Sequence, residues 1–267
     1  MNPTDKETPA TVHPLPTDAG GDSFEEPWQC SSVIGMMMCL ASNAHPEIQF
    51  AVHQCARFTH CPKNIHANAV KKICRYLKHG LDNNEGLTFT KTTSCQLDCF
   101  VDADHAGLWG HEDDQDPVCV KSRTGHTMTL GGCPIHWVSR LLTEIALITL
   151  APEPIALAQA MRDLVPMRRL LKEVLGAVVP HLQDDPTLLK LTVWEDNNGA
   201  ISTAKSPKMT PRTKHIAVKC HCTRGQIGEG KGVVLEKIES KMQKADILTK
   251  GLPQEDFERI RFLLCGW

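Results

Sequence analysis

The front of the chain carries apolar residues at helical spacing. Ile48, Val52 and Ala56 follow one another at intervals of four, which places them on one face of an α-helix. A longer series has the same spacing and ends before Gly80, a residue type that favours helix C-termini: Ile65, Ala69, Ile73 and Leu77. These patterns predict an all-helical segment over residues 28–82.

The periodicity changes after residue 87. Residues 96–102 alternate between apolar and polar side chains, as in a half-buried strand. Gly131 and Gly132 form a predicted turn between two of the later strands. The further strands are predicted over 124–130, 133–138, 189–195 and 232–238, and two shorter β-prone stretches lie at 87–90 and 145–149.

Helical patterns separate the later strands. Predicted helices cover 153–175, a short stretch after residue 196, 213–226 and the residues from 245 onward. Pro166 falls inside the first of these helices, which it should kink or split. Early strands followed by alternating helices and strands predict an α/β fold, with a mixed sheet on which helices pack.

Charge and composition narrow the function classes. Residues 1–27 are rich in Pro, Thr, Asp and Gly, which predicts a disordered leader. No apolar run approaches the length of a membrane span, so no membrane partner is expected. The chain has 29 Lys and Arg against 31 Asp and Glu, which argues against a globally basic binder of nucleic acid. Contact with a phosphate backbone would depend on a local patch.

The 12 cysteines are predicted to be reduced thiols, because no signal peptide opens the chain and disulfide frameworks belong to secreted proteins. The sequence contains no CxxC pair. Cys220, His221 and Cys222 form the densest group, and they lack the partner spacing of a zinc site. The sequence leaves the cell compartment open.

Four acidic residues lie at the ends of predicted elements: Asp102, Glu153, Asp196 and Asp246. Four carboxylates that converged in one cleft would repel one another unless cations lay between them. Two Mg²⁺ or Mn²⁺ ions about 3.5–4 Å apart are the usual arrangement for phosphodiester hydrolysis. The alternative stays open that Asp102 and Asp196 cap helices and that Glu153 is a first-turn acid.

The segments around these acids resemble a known family. Arg212–Ile216 (RTKHI) and Ala245–Lys250 (ADILTK) match its motifs unchanged. Four other segments resemble its SDADWAG, GGGPISWKS, VALSSTEAEYIAL and CDNQSA motifs, namely VDADHAG, GGCPIHWVS, IALITLAPEPIAL and EDNNGA, in the order of the chain. From about Trp28 to its end, the chain resembles the C-terminal region of copia-type retrotransposon Pol polyproteins.

The resemblance implies a fold, a domain order and an activity. Residues 87–252 would form a ribonuclease H-like domain with a mixed five-stranded sheet flanked by helices. Residues 28–82 would be the helical connection after a reverse transcriptase, and residues 253–267 a helical tail. The implied activity is two-metal hydrolysis of the RNA strand of RNA–DNA hybrids, with Asp102, Glu153, Asp196 and Asp246 as the metal ligands.

The same resemblance implies partners and supporting residues. The partners would be an RNA–DNA hybrid and the reverse transcriptase portion of the parent polyprotein, in a cytoplasmic particle or the nucleus. Because the polymerase motif YVDD is absent from this sequence, no polymerase activity is expected of it. Arg212, Lys214 and Lys205 would contact phosphates, and His215 and His221 would assist proton transfer. Plain surface charge and helix packing are the alternatives for these side chains.

Several positions depart from the family pattern. Ala151 replaces the first Glu of TEAEY, and Pro154 replaces its Tyr, so prolines at 152 and 154 flank Glu153. His105 replaces a Trp, and the acidic stretch 111–116 is an insertion. These departures support a second hypothesis, a catalytically degenerate remnant that retains the fold and at most binds nucleic acid.

Overall fold

The computed structural model describes residues 8–91, 95–110, 118–143, 152–178, 189–205, 225–228 and 232–267. Among these residues, none of the helices combines the length and the apolar character that crossing a membrane would require. The predicted helix 213–226 lies mostly outside the described residues. The β-prone stretch 145–149 and the acidic insertion 111–116 lie wholly outside them.

A mixed five-stranded sheet forms the centre of the fold. The first three strands form an antiparallel meander. The fourth strand pairs in parallel with the first, and the fifth pairs in parallel with the fourth. The spatial order is β3-β2-β1-β4-β5. This arrangement confirms the α/β class and the mixed five-stranded sheet flanked by helices that the resemblance implied. The strands are β1 Leu97–Asp104, β2 Arg123–Leu130, β3 Cys133–Leu141, β4 Leu191–Glu195 and β5 Val234–Lys237.

Helices come before the sheet in the chain, connect its later strands and form the C-terminal end. Pro166 lies inside α4, which runs through it without interruption, so of the predicted kink or split the split is absent. The stretch 87–90 is not a strand; within it, the Thr88 N–H donates to the Cys265 carbonyl. The helices are α1 Cys30–Asn43, a 3-10 turn Pro46–Ile48, α2 Gln49–Ala56, α3 Asn64–Asp82, α4 Pro152–Val178, α5 Asn198–Lys205, α6 Asp246–Thr249 and α7 Gln254–Cys265.

Two hydrophobic cores hold these elements. The first lies between the sheet and α4, where β1 contributes Leu97, Cys99 and Val101 in the alternation that the sequence predicted. The second is helical and joins α1, α2 and α3 to α6 and α7. The Trp137 indole of β3 donates to the Ala41 carbonyl at 2.7 Å, which ties α1 to the sheet. The last helix therefore shares a core with the first three.

Residues 8–27 run along the helical core, although their composition predicts disorder. Leu15 and Phe24 are half-buried against that core. The His66 Nδ1 accepts the Lys63 backbone N–H at 2.8 Å, which leaves its Nε2 to donate to the Pro16 carbonyl at 2.9 Å. A few apolar anchors and backbone hydrogen bonds thus dock a polar segment. The boundaries 1–27, 28–82, 87–252 and 253–267 remain predictions.

A glycine on β2 lets α6 approach the sheet. Gly125 pairs with Asp102 across β1 and β2. A Cβ atom at Gly125 would lie 2.8 Å from the Thr249 Cγ2 and 2.9 Å from the Leu248 Cβ, closer than real side chains approach. Since Thr249 also contacts Asp102, this close packing positions one of the candidate acids.

We predict that Gly125→Ala lowers the free energy of unfolding by about 1–3 kcal/mol, because the added methyl overpacks the contact between β2 and α6. Gly35→Ala is the matched control: this glycine is exposed in the middle of α1, and an added methyl would meet no atom within 4 Å. That substitution should raise the free energy by about 0.5–1 kcal/mol. Urea unfolding measures both, and an unchanged stability of Gly125→Ala would contradict the packing.

Candidate carboxylate metal site

Three acidic side chains from separate parts of the chain meet at one edge of the sheet. Asp102 lies near the end of β1, and Asp196 directly follows β4, which runs parallel to β1. Glu153 lies in the first turn of α4. One carboxylate oxygen from each lies within 4.8 Å of the others. The structure therefore brings together three of the four acids that the sequence singled out.

The prolines beside Glu153 are accommodated by its position in the helix. Pro152 is the first residue of α4, and Pro154 is still within its first turn. Backbone N–H groups of the first turn have no partner inside a helix, so a proline there removes no helical hydrogen bond. The departure from the family pattern thus leaves Glu153 facing Asp102.

Asp246, the fourth acid, is linked to Asp102 by an ion pair with Lys250. Its Oδ2 lies 3.1 Å from the Lys250 Nζ, one turn further along the chain, and the same Nζ lies 3.9 Å from the Asp102 Oδ2. Lys250 therefore sits between the fourth acid and the first. Its pKa is raised, since the attraction of Asp102 and Asp246 outweighs the partial burial of the ammonium group.

Three of the acids, Glu153, Asp246 and Asp102, lie in a poorly solvated environment that disfavours their ionised forms. Burial first, and then repulsion by Asp102, Glu195 and Asp196, raises the pKa of Glu153 to about 10. Burial and the charge of Asp102 raise the pKa of Asp246 to about 7. Burial also raises the pKa of Asp102, against the opposing charge of Lys250. Folding thus concentrates negative charge that the described side chains compensate only in part.

Three buried carboxylate oxygens of this region have no hydrogen-bond donor among the described residues: Glu153 Oε2, Glu195 Oε2 and Asp246 Oδ1. Buried polar atoms are normally paired, so orphaned acceptors of one sign indicate a positively charged ligand. Hard oxygen donors in this number suit Mg²⁺ or Mn²⁺. The residues present therefore fit a divalent cation.

The sequence reasoning missed residues that support the acids. Glu195 is completely buried, its Oε1 accepts the Asn197 N–H at 3.1 Å, and burial raises its pKa to about 8. The Thr249 hydroxyl donates to Asp102 in a short hydrogen bond, and the Ser240 hydroxyl donates to Asp196 at 2.8 Å. Strand alternation gives the signal for Glu195, because it lies two residues after the buried Val193.

The other predicted contacts are placed only in part. Lys205 is the exposed last residue of α5, the helix that begins two residues after Asp196. The remaining candidates for phosphate contact and proton transfer, and the group at Cys220, lie outside the described residues: Arg212, Lys214, His215 and His221.

Comparison with known proteins finds several that are similar to this chain. No family model matches it. It is 32% identical over 251 residues to the retrovirus-related Pol polyprotein from transposon TNT 1-94 of Nicotiana tabacum, covering 94% of this chain and 17% of that protein. The corresponding protein from transposon RE2 of Arabidopsis thaliana is 30% identical over the same 94%, and the chain covers 16% of it.

Over most of its length, the chain is similar to transposon Pol polyproteins. The resemblance read from the sequence motifs is thereby confirmed at this level. The chain spans about one sixth of the length of the proteins it matches. A solved N-terminal RNase H domain from Mycobacterium tuberculosis, fused to maltose-binding protein, has a TM-score of 0.38 and 11% identity, covering 62% of this chain and 96% of that one. The assignment of the fold is based on the strand order of the sheet and not on this similarity.

The raised pKa values predict how the stability of the metal-free protein depends on pH. Groups whose pKa is higher in the folded than in the unfolded chain keep protons that the unfolded chain releases, so stability is lost as pH rises. In EDTA, the contribution of Glu153, Glu195 and Asp246 to the free energy of unfolding should fall between about pH 5 and pH 8, by up to about 1.4 kcal/mol per pH unit for each group.

Urea unfolding of Glu153→Gln isolates this effect, because the variant cannot ionise at that position. Its free energy of unfolding should depend less steeply on pH than that of the wild type, and added Mg²⁺ should flatten the wild-type profile. Glu236→Gln, on the exposed side of β5, is the control and should keep the wild-type slope. Equal slopes for wild type and Glu153→Gln would contradict the assignment.

Proposed function

We propose that this chain is a retroelement ribonuclease H that cleaves the RNA strand of RNA–DNA hybrids, with two Mg²⁺ or Mn²⁺ ions as cofactors. The observation that carries the proposal is the meeting of Asp102, Glu153 and Asp196 within 4.8 Å, from two strands and a helix far apart in sequence. The strand order of the sheet and the kinship with transposon Pol polyproteins support it.

The four acids would hold the metal ions in this proposal: Asp102, Glu153, Asp196 and Asp246. When bound, the ions would supply positive charge for the scissile phosphate and an activated water. Thr249 and Ser240 orient Asp102 and Asp196 through their hydroxyl groups. Glu153 gives up its proton as a cation binds, because a nearby positive charge favours the ionised carboxylate.

Lys250 has a positioning role in this scheme. Its ammonium group offsets part of the charge of Asp102 and Asp246 and so keeps two buried carboxylates close together. Its side chain is 41% exposed, so it can swing toward solvent when a cation enters. Lys250 would therefore stabilise the site when no metal is bound, and it would move away when a metal binds.

The substrate would be recognised by shape rather than by base sequence. A protein that binds an A-form-like duplex contacts phosphates and 2′-hydroxyls across the minor groove. Lys205, Arg212 and Lys214 are proposed for the phosphates, and His215 and His221 for proton transfer. Residues 87–252 would form the nuclease, with 28–82 as the connection to the reverse transcriptase portion of a parent polyprotein.

A degenerate remnant is the second candidate, and one observation favours it. Lys250 already lies 3.1 Å from Asp246 and reaches toward Asp102, so the acids have a cation of their own. In a remnant, this lysine would hold the acids permanently. Titration with Mn²⁺ separates the two, since an active site binds the metal through Glu153 and a remnant does not.

We predict Mg²⁺-dependent cleavage of the RNA strand of an RNA–DNA hybrid by the wild type. Asp196→Asn and Glu153→Gln should each lower the rate by at least about a hundredfold, because each removes a charged ligand in a water-poor site where fixed charge contributes several kcal/mol to catalysis. The measurement is single-turnover cleavage of a labelled hybrid in Mg²⁺ and in EDTA.

Glu236→Gln is the matched control, since it removes a carboxylate from an exposed position on β5. It should cleave at the wild-type rate. Equal activity of wild type and Asp196→Asn would refute the site. No cleavage by a wild type that also fails to bind Mn²⁺ would favour the remnant.

A further inference from the structure

A second cluster of metal-ligating side chains lies along the sheet from the carboxylates. His126 on β2 and His136 on β3 are diagonal neighbours, because His126 pairs with Val138 and His136 pairs with Met128. Asp163 of α4 reaches down to both. The Asp163 Oδ2 lies 3.2 Å from the His126 Nε2 and 3.9 Å from the His136 Nε2.

One hydrogen bond does not account for this arrangement. The His126 Nε2 is within hydrogen-bond distance of Asp163 and lowers the pKa of that carboxyl, but among the described residues neither Nε2 atom has a well-aligned hydrogen-bond partner, although both atoms are buried. The His126 side chain is only 4% exposed, so water does not reach it freely. Buried imidazole nitrogens with poorly aligned partners are costly unless a further ligand satisfies them.

The chemistry of the cluster suits a transition metal. One ligand atom from each of the three side chains lies within 4.8 Å of the other two. Zinc–ligand distances of about 2.0–2.1 Å place tetrahedral ligand atoms roughly 3.3 Å apart, close to the observed separations. Imidazole nitrogen and carboxylate oxygen are both ligands that Zn²⁺ takes in proteins.

We propose that His126, His136 and Asp163 bind one Zn²⁺ or a similar divalent transition metal, with the fourth position left to water. The site is separate from the carboxylates, because Asp163 follows Glu153 by ten residues on α4, about 15 Å along a helix. Borderline-soft nitrogen donors select against Mg²⁺, so the two sites take different metals.

The site goes beyond the nuclease function. His136 lies in GGCPIHWVS, at the position where the related motif GGGPISWKS has Ser, so this ligand is not part of the family pattern. A metal there would fasten α4 to β2 and β3. Since α4 begins with Pro152 and Glu153, the metal would also steady the helix that carries a carboxylate of the first site.

The test is titration of the full chain with Co²⁺, a spectroscopic substitute for Zn²⁺, in a reducing buffer with excess Mg²⁺ to fill the carboxylate site. The wild type should bind one equivalent of Co²⁺ with the visible spectrum of nitrogen and oxygen ligands, and Zn²⁺ should displace it. Saturating Zn²⁺ should also raise the melting temperature, because a ligand of the folded state stabilises it.

His136→Ser and Asp163→Asn should each weaken Co²⁺ binding by at least about tenfold, since even supporting residues of metal sites contribute that much. The side chains of His136 and Asp163 are 35% and 40% exposed, so the variants should fold. An unchanged melting temperature in EDTA checks this. His60→Ser is the control, because His60 is exposed after α2, and it should bind as the wild type does.

Two results would overturn the proposal. One is a wild type that binds no Co²⁺ in this titration. The other is Co²⁺ binding of equal affinity in the wild type, His136→Ser and Asp163→Asn, which would place the metal elsewhere. A thiolate-to-cobalt charge-transfer band that persists in the variants would identify cysteines as the ligands in that case. Neither result bears on hybrid cleavage, which depends on the carboxylates.

Discussion

Mutual repulsion among buried carboxylates is the constraint on which this structure depends. Parallel pairing of β1 and β4 brings Asp102 and Asp196 to one edge of the sheet, and the first turn of α4 adds Glu153. Burial makes the ionised forms of Asp102 and Glu153 more costly, and the neighbouring acids add to that cost. A protein keeps such a cluster where charge has a use, and in the proposed function a divalent cation would relieve the repulsion.

The rest of the fold holds these acids together against their repulsion. The core between α4 and the sheet fixes the helix that carries Glu153, through residues such as Leu157 and Leu164. The helical core positions α6, from which Asp246, Thr249 and Lys250 reach the site. Because α6 and α7 pack with α1 to α3, the front helices support the site from a distance.

Much of this was predictable from sequence, and the failures have physical reasons. Strand alternation predicted most of the sheet, and the resemblance to the family motifs selected Asp102, Glu153 and Asp196, which the structure brings together. The burial of Glu195 was also readable from the sequence, because Glu195 alternates with the apolar Val193 along the strand, but its position beside Asp196 gave no separate signal for a role in the site.

His126, His136 and Asp163 lie on two strands and a helix, and only tertiary packing makes them neighbours. An amphipathic pattern shows which face of a helix is buried but not which element covers it. The packing of α7 against the front helices was therefore not predicted.

The central claim is that the carboxylates of Asp102, Glu153 and Asp196 form a site for a divalent cation. Anomalous diffraction from crystals of the protein grown with Mn²⁺ tests it most directly. The account predicts a strong anomalous peak within coordination distance of all three side chains, with Lys250 moved away from Asp102. An ordered site with no peak at saturating Mn²⁺, and with Lys250 still between Asp102 and Asp246, would contradict it.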